Sequence, residues 1–152
     1  MIVAKFGGSS LADVEQFLQV RDILDMDPER CYLVVSAPGK RNPQDIKVTD
    51  LLLDCHHKAQ LHQNFDQPFA LLTGRFRDIE RGLGLSGYLD ETLKSLKTSL
   101  DEGACRDFIL SRGEYLCASL LSKWLNIALV DPVKAIRFDR RGATFNLGGN
   151  AM

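Results

Sequence analysis

The stretch that decides the fold is Ile2-Val3-Ala4-Lys5-Phe6-Gly7-Gly8-Ser9-Ser10, at the start of the chain. It opens with a short apolar run of strand length that contains one lysine. Two adjacent glycines then let the backbone turn tightly and approach a ligand closely. Beyond them, apolar residues recur at helical spacing as far as Leu24, which predicts a helix capped by Ser9 or Ser10. A glycine turn between a strand and a helix can form an anion-binding site, because the free N–H groups of the helix start point towards it. Taken alone the signal is weak, and a tight turn without a ligand is the more common interpretation.

The rest of the chain predicts an α/β domain. A second apolar run at 31–36 predicts a parallel strand. Helices are predicted at 48–63, 67–83, 87–101 and 104–125, then strands at 127–130 and 135–138. This order predicts a mostly parallel sheet with helices on both faces and with the first strand in the interior. The chain is predicted to be a single domain, 1–152, with an irregular tail over 142–152.

Composition excludes several classes of protein. The chain has 152 residues, with 19 basic and 20 acidic side chains. This near-balance argues against a nucleic-acid binder and against a polybasic membrane binder. No apolar run approaches the length of a membrane span, and the first residues do not resemble a signal peptide. The four cysteines form no CxxC pair, so we expect reduced thiols in a cytoplasmic protein.

Four motifs carry a resemblance to a known family. They are Lys-Phe-Gly-Gly-Ser-Ser-Leu-Ala-Asp (5–13), Val-Val-Ser-Ala-Pro-Gly-Lys (34–40), Val-Thr-Asp-Leu-Leu (48–52) and Ser-Arg-Gly-Glu (111–114). Together they resemble the amino-terminal lobe of the aspartate kinases (aspartokinases), members of the amino-acid kinase family. The resemblance implies transfer of the γ-phosphoryl group of ATP, with Mg²⁺, to the side-chain carboxylate of L-aspartate. The product would be 4-phospho-L-aspartate, which leads to lysine, threonine and methionine.

The resemblance also implies roles for single residues on the nucleotide side. Lys5 would be the catalytic lysine and would contact the phosphates. Gly7 and Gly8 would donate backbone N–H groups to the same phosphates. Ser9 would add a hydroxyl there, or would only cap the following helix. Lys40 would attract the anionic substrates, or would be an ordinary solvated charge.

A second group of residues would bind the acceptor. Ser36 and Thr49 match positions that hold aspartate, and Glu114 would bind its α-amino group. Arg112 is interpreted as structural, in a salt bridge or at the surface. Asp50 is interpreted as an acidic residue that complements a helix dipole. No protein metal site is predicted, because the spacing of the histidines does not suit a pair of ligands on one helix face.

The resemblance ends before the family's second lobe, which binds the adenine and ribose of the nucleotide. We therefore expect this chain to be the amino-terminal lobe alone and a poor kinase by itself. Its expected partners are L-aspartate, ATP, the second lobe and another copy of itself. Two alternatives stay open. One is a non-catalytic binding or interaction module; the other is a related kinase for glutamate, acetylglutamate, carbamate or UMP.

Overall fold

The computed structural model describes residues 1–139 and 142–145. Short strands and long helices make up this part of the chain, so the predicted α/β class is confirmed. Each of the four long helices after residue 47 begins and ends within three residues of its predicted bounds. The elements are β1 (Val3–Phe6), a 3-10 turn (Gly8–Leu11), α1 (Val14–Asp25), β2 (Tyr32–Val35), α2 (Val48–Gln60), α3 (Asp66–Gly82), α4 (Asp90–Asp101), α5 (Arg106–Leu125), α6 (Pro132–Ala135), β3 (Ile136–Asp139) and β4 (Gly142–Phe145).

Strands β1 and β2 form a two-stranded parallel sheet, in register from Val3 opposite Tyr32 to Phe6 opposite Val35. Among the described residues, β1 has no second partner. The prediction of an interior first strand is therefore wrong for this part of the chain. An interior strand needs a ladder on each side, and here only β2 supplies one.

The two faces of this sheet differ in burial. Phe6 turns towards the helices and is buried, as the alternation of a strand requires. On the other face, Val3, Tyr32 and Val34 are 60%, 57% and 51% exposed. Helices therefore cover one face within the described residues, and the second helical layer that we predicted is not seen there.

The helices enclose a single apolar core. Its largest fully buried members include Phe17 of α1, Phe76 of α3 and Leu116 of α5. Helix α2 lies at the centre of this packing, against both α3 and α5. This core carries the loops that follow β1 and β2.

The first helix begins later than predicted. Residues Gly8–Leu11 form a 3-10 turn, so Ser9 and Ser10 lie inside that turn. The cap of α1 is Asp13, whose side chain accepts a hydrogen bond from the Gln16 N–H at 3.1 Å. The predicted serine cap is wrong, because the 3-10 turn moves the first free N–H groups of α1 to the residues after Asp13.

The third predicted strand, at 127–130, is absent from the described structure. Helix α5 ends at Asn126 in the left-handed conformation. The Ile127 N–H then donates to the Ser122 carbonyl at 3.0 Å, and the Ser122 hydroxyl donates to the Ile127 carbonyl at 2.6 Å. Both backbone groups of Ile127 are thus already bound, so they cannot join a strand ladder.

The chain continues into an antiparallel hairpin of β3 and β4. The strand predicted at 135–138 is confirmed with a shift of one residue, as Ile136–Asp139. The predicted irregular tail is wrong over 142–145, because β3 provides a partner for these residues as β4. The rest of that predicted tail, residues 146–152, lies outside the described residues.

Candidate functional site

The loops that follow β1 and β2 touch through their backbones. The Gly39 N–H donates to the Gly8 carbonyl at 2.7 Å. A Cβ atom added to Gly8 would lie 2.8 Å from the Ala37 carbonyl oxygen, and one added to Gly39 would lie 2.6 Å from the Gly8 carbonyl carbon. Only glycine fits at these two positions without moving a neighbouring backbone.

A third glycine brings α5 to the same place. A Cβ atom on Gly113 would lie 2.9 Å from the Ala37 Cβ, 3.1 Å from a methyl of Leu52 and 3.3 Å from a methyl of Val48. Helix α5 can therefore pack closely on α2 and on the loop after β2. This approach carries the next residue, Glu114, to the beginning of α2.

These contacts form a cleft of about 510 Å³ at the carboxyl ends of the two strands. Five residues that we predicted for the site line it: Gly8, Ser9, Ser36, Thr49 and Glu114. They come from the two loops, from the first turn of α2 and from α5. Five further residues complete the lining: Ala37, Pro38, Gly39, Lys40 and Lys47.

Two predicted residues, Lys5 and Gly7, are not part of this lining. The alternation of β1 places Lys5 on the exposed face of the sheet, in register with Val34. A Cβ atom added to Gly7 would nevertheless lie 3.7 Å from the Lys5 Nζ, so the ammonium lies close to the glycine turn. The structure thus brings five predicted residues into one cleft and leaves Lys5 outside its lining, beside the glycine turn.

The cleft combines charges of both signs. Lys40 and Lys47 stand on its rim with exposed side chains, while Glu114 is half-buried on its wall. A carboxylate opposite two ammonium groups suits a ligand that carries both an amino group and anionic groups. Sequence reasoning missed Lys47, although its position two residues before Thr49 was a usable signal.

Arg112 and Asp50 have the roles expected from the sequence. Arg112 forms a salt bridge with Asp131 at 3.3 Å and stacks between the rings of Phe108 and Tyr115, both 4.7 Å away. The salt bridge that we predicted for Arg112 is confirmed. Asp50 lies exposed in the first turn of α2, where a negative charge complements the helix dipole.

Sequence reasoning missed the ionic network behind the cleft. Asp45 pairs with Arg75 at 2.8 Å and with Arg41 at 2.9 Å. The hydrogen bond from Arg41, with the nearby charge of Arg75, holds the pKa of Asp45 well below its usual range. Burial lowers the pKa of Arg75. Arg41 and Asp45 are four residues apart, but no local pattern signalled Arg75, which lies thirty residues beyond Asp45.

Two kinds of feature are absent from the described part of the chain. No group of three His, Cys, Asp or Glu side chains is arranged there as metal ligands would be. No helix there is long and apolar enough to cross a membrane.

Known proteins resemble the chain in both sequence and fold. The aspartate kinase of Clostridium acetobutylicum has a TM-score of 0.89 and is 41% identical, over 93% of this chain and 33% of that one. Aspartokinase 3 of Bacillus subtilis is 56% identical over 55 residues, which are 36% of this chain and 12% of that one. No protein-family model matches the chain.

A third relative shares the fold. Escherichia coli aspartokinase III, solved in complex with aspartate and ADP, has a TM-score of 0.73 at 20% identity, over 93% of this chain and 33% of that one. The chain thus spans about a third of the length of these solved relatives. In sequence and in fold, the chain resembles the aspartate kinases over more than nine-tenths of its own length.

Proposed function

We propose that this chain is the amino-terminal, substrate-binding lobe of an aspartate kinase. The observation that carries the proposal is the cleft in which Gly8, Ser9, Ser36, Thr49 and Glu114 meet. The likeness to the C. acetobutylicum enzyme supports the same conclusion. In the reaction, a side-chain carboxylate oxygen of L-aspartate attacks the γ-phosphorus of ATP. The bond from that phosphorus to the β–γ bridging oxygen breaks, and 4-phospho-L-aspartate and ADP form.

The phosphate side of the site is the glycine turn. The N–H groups of Gly7 and Gly8 donate to phosphate oxygens, and the Ser9 hydroxyl adds a further donor. The Lys5 ammonium neutralises the charge that moves onto the β-phosphate as the bond breaks. Phosphoryl transfer depends mainly on such positioning and charge stabilisation. Mg²⁺ enters as part of the nucleotide substrate.

The aspartate side is formed by α2, α5 and the end of β2. Glu114 contributes the negative charge that a substrate ammonium group requires. The hydroxyls of Ser36 and Thr49 donate to substrate carboxylate oxygens, and Lys47 on the rim favours the same anionic groups. The arrangement suits an amino acid that carries a second carboxylate.

Turnover requires more protein than this chain contains. The chain spans 33% of the C. acetobutylicum enzyme, and the remote contacts that align reacting groups come from the whole protein. We therefore place the second lobe of the kinase domain among its partners, together with another copy of the chain. The pathway to lysine, threonine and methionine, and a cytoplasmic location, belong to this proposal. Binding without turnover is the second candidate function, favoured by the same partial coverage.

Ligand binding to the chain tests the proposal directly. Titration with L-aspartate, followed by amide chemical shifts, should perturb Thr49 and Glu114, and titration with Mg-ATP should perturb Gly7 and Gly8. Glu114→Gln keeps the shape of the side chain and should abolish L-aspartate binding. Asp107→Asn, on the exposed start of the same helix, is the matched control and should bind normally. Unperturbed cleft amides in the native chain would refute the proposal.

A second measurement separates the candidate functions. Trapping of an acyl phosphate as a hydroxamate reports turnover with L-aspartate, glutamate or acetylglutamate as the acceptor, and release of ADP reports turnover with UMP. We expect binding but no hydroxamate from residues 1–152 alone. Turnover with the isolated chain would show that no second lobe is needed. Tighter binding of another acceptor would favour a related kinase instead.

A further inference from the structure

Arg75 is a buried charged side chain that the proposed reaction does not use. It lies on α3, a helix that contributes no residue to the lining of the cleft, and it is 4% exposed. A guanidinium is expensive to bury unless its charge and its N–H groups find partners. The partners of Arg75 are therefore informative.

Those partners lie on the turn after β1 and on the loop between β2 and α2, which both contribute to the lining of the cleft. Arg75 Nη2 donates to the carbonyls of Gly39 at 2.7 Å and Ala12 at 3.1 Å, and Nη1 donates to the carbonyl of Ile46 at 3.1 Å. Ala12 follows the 3-10 turn after the two glycines. Gly39 belongs to the loop after β2, and Ile46 precedes the helix that carries Thr49. One side chain of α3 thus joins the turn after β1 to both ends of the loop between β2 and α2.

The counter-ion of Arg75 belongs to the same loop. Asp45 lies 2.8 Å from Nη1 and also accepts hydrogen bonds from the backbone N–H and the side chain of Arg41, at 3.0 Å and 2.9 Å. The planar fork of an arginine carries five N–H donors spread over three nitrogens, whereas a lysine carries three donors on a single atom. The loop from Gly39 to Ile46 is therefore held from behind by a guanidinium.

Two of the three carbonyls bound by Arg75 belong to or adjoin the lining of the cleft, because Gly39 lines it and Ile46 precedes a lining residue. The Gly39 N–H holds the Gly8 carbonyl, and Ile46 directly precedes Lys47. From this geometry we infer that Arg75 is a positioning residue, which sets the distance between the phosphate side and the aspartate side of the cleft. The inference deepens the proposed function and rests on it for the identity of the two ligands.

Amide hydrogen exchange in the full 152-residue chain tests this inference without any ligand. In Arg75→Lys we expect the Gly39 amide to lose about tenfold of its protection, which corresponds to roughly one hydrogen bond. The core amides of Leu116 and Leu120 should lose much less. Arg77→Lys is the matched control, because Arg77 is exposed on the same helix and makes only a 3.5 Å contact with Asp90. It should leave Gly39 unchanged.

Two results would overturn the inference. One is unchanged protection of Gly39 in Arg75→Lys; the other is a loss of equal size at Gly39, Leu116 and Leu120, as a merely structural role predicts. The double variant Arg75→Met/Asp45→Asn leaves no buried carboxylate unpaired, and it should show the same selective loss at Gly39.

Ligand titration provides the link to function. If Arg75 positions both sides, Arg75→Lys weakens Mg-ATP and L-aspartate binding together, each by about tenfold, whereas Arg77→Lys weakens neither. Full affinity for both ligands in Arg75→Lys would overturn the inference. Failure of the native chain to bind either ligand would instead refute the proposed function, and the exchange data would still decide whether Arg75 holds the loops.

Discussion

Two regions around the small parallel sheet are built in opposite ways. The loop end comprises the turns after β1 and β2 with Arg75 and Asp45 behind them. The open face comprises Val3, Lys5, Tyr32 and Val34 on the side of the sheet away from the helices. At the loop end, backbone touches backbone and a buried ion pair joins the segments. On the open face, large apolar side chains are about half exposed.

This difference indicates where the chain resists change. The loop end depends on atomic fit and on paired charges, so small substitutions there should be costly. The open face has no cover among the described residues, so the same kinds of substitution should be tolerated there. An exposed apolar face beside open strand edges is also prone to association, which agrees with the proposed self-association. Light scattering of a concentrated sample that shows only monomer would contradict that part of the proposal.

The largest expected effect is at Asp45. Asp45→Asn leaves the buried Arg75 without its counter-ion and should lower the free energy of unfolding by about 3 kcal/mol at neutral pH. The pKa of Asp45 is depressed in the folded state, so its contribution is present above the ordinary value of about 3.9 and is lost as the pH falls through the lower folded value. Urea denaturation between pH 7 and pH 3 should therefore show that Asp45→Asn and the native chain differ less in free energy of unfolding below about pH 4 than at neutral pH.

Asp22→Asn is the control for this measurement. Asp22 pairs with Arg21 on the surface, with side chains 58% and 44% exposed, and its removal should change stability little at any pH. If the difference in free energy of unfolding between the native chain and Asp45→Asn stayed constant down to pH 3, it would contradict the role assigned to the ion pair.

The second-largest expected effect on stability is at Gly39. Gly39→Ala places a Cβ atom 2.6 Å from the Gly8 carbonyl carbon and 2.9 Å from the Ser9 nitrogen, so a backbone must move. We expect the free energy of unfolding, measured by thermal or urea denaturation, to fall by about 2 kcal/mol. Gly74→Ala is the matched control, since nothing lies within 4 Å of the new atom and the position is inside α3. It should stabilise the chain by up to about 1 kcal/mol. Equal effects at both glycines would show that the loop end is not tightly packed.

A pair of valines compares the helical core beneath the cleft with the open face. Val48 is fully buried at the start of α2, whereas Val34 is 51% exposed on the sheet. A hydroxyl placed at Val48 must be desolvated, so Val48→Thr should cost about 1–2 kcal/mol. Val34→Thr should stay within about 0.5 kcal/mol of the native chain. If Val34→Thr lowered the free energy of unfolding as much as Val48→Thr, this would indicate that something covers the open face in solution.

The smallest expected effect is on thiol reactivity. Cys31 and Cys105 are exposed, whereas Cys55 and Cys117 are buried in the helical core, and none of the four is disulfide-bonded. Burial raises the pKa of Cys55 to about 12 and that of Cys117 further. A thiol-specific reagent at pH 8 should therefore label only the two exposed cysteines rapidly in the folded chain. It should label all of them in urea, and rapid labelling of Cys117 in the folded state would argue against this core.

The sequence by itself determined the elements whose signals are local. Apolar residues at helical spacing predicted the four long helices, and their ends depend on nearby glycines and polar residues. The Gly-Gly turn after the first strand followed from the two adjacent glycines, which allow a close backbone approach because they lack a Cβ atom. The four motifs also predicted five of the residues that line the cleft, since residues that bind one ligand recur together. Lys5 remains a prediction on the same basis, although its side chain leaves the sheet on the open face.

Only the tertiary structure decided which groups found partners. Asp13, not a serine, caps α1 because the 3-10 turn shifts the start of that helix. The segment at 127–130 is not a strand because Ser122 binds both backbone groups of Ile127. Arg75 and Asp45 meet although they are thirty residues apart, and nothing in either neighbourhood signals a buried pair. Hydrophobic periodicity is read along the chain, but hydrogen bonds and ion pairs depend on which segments folding brings together.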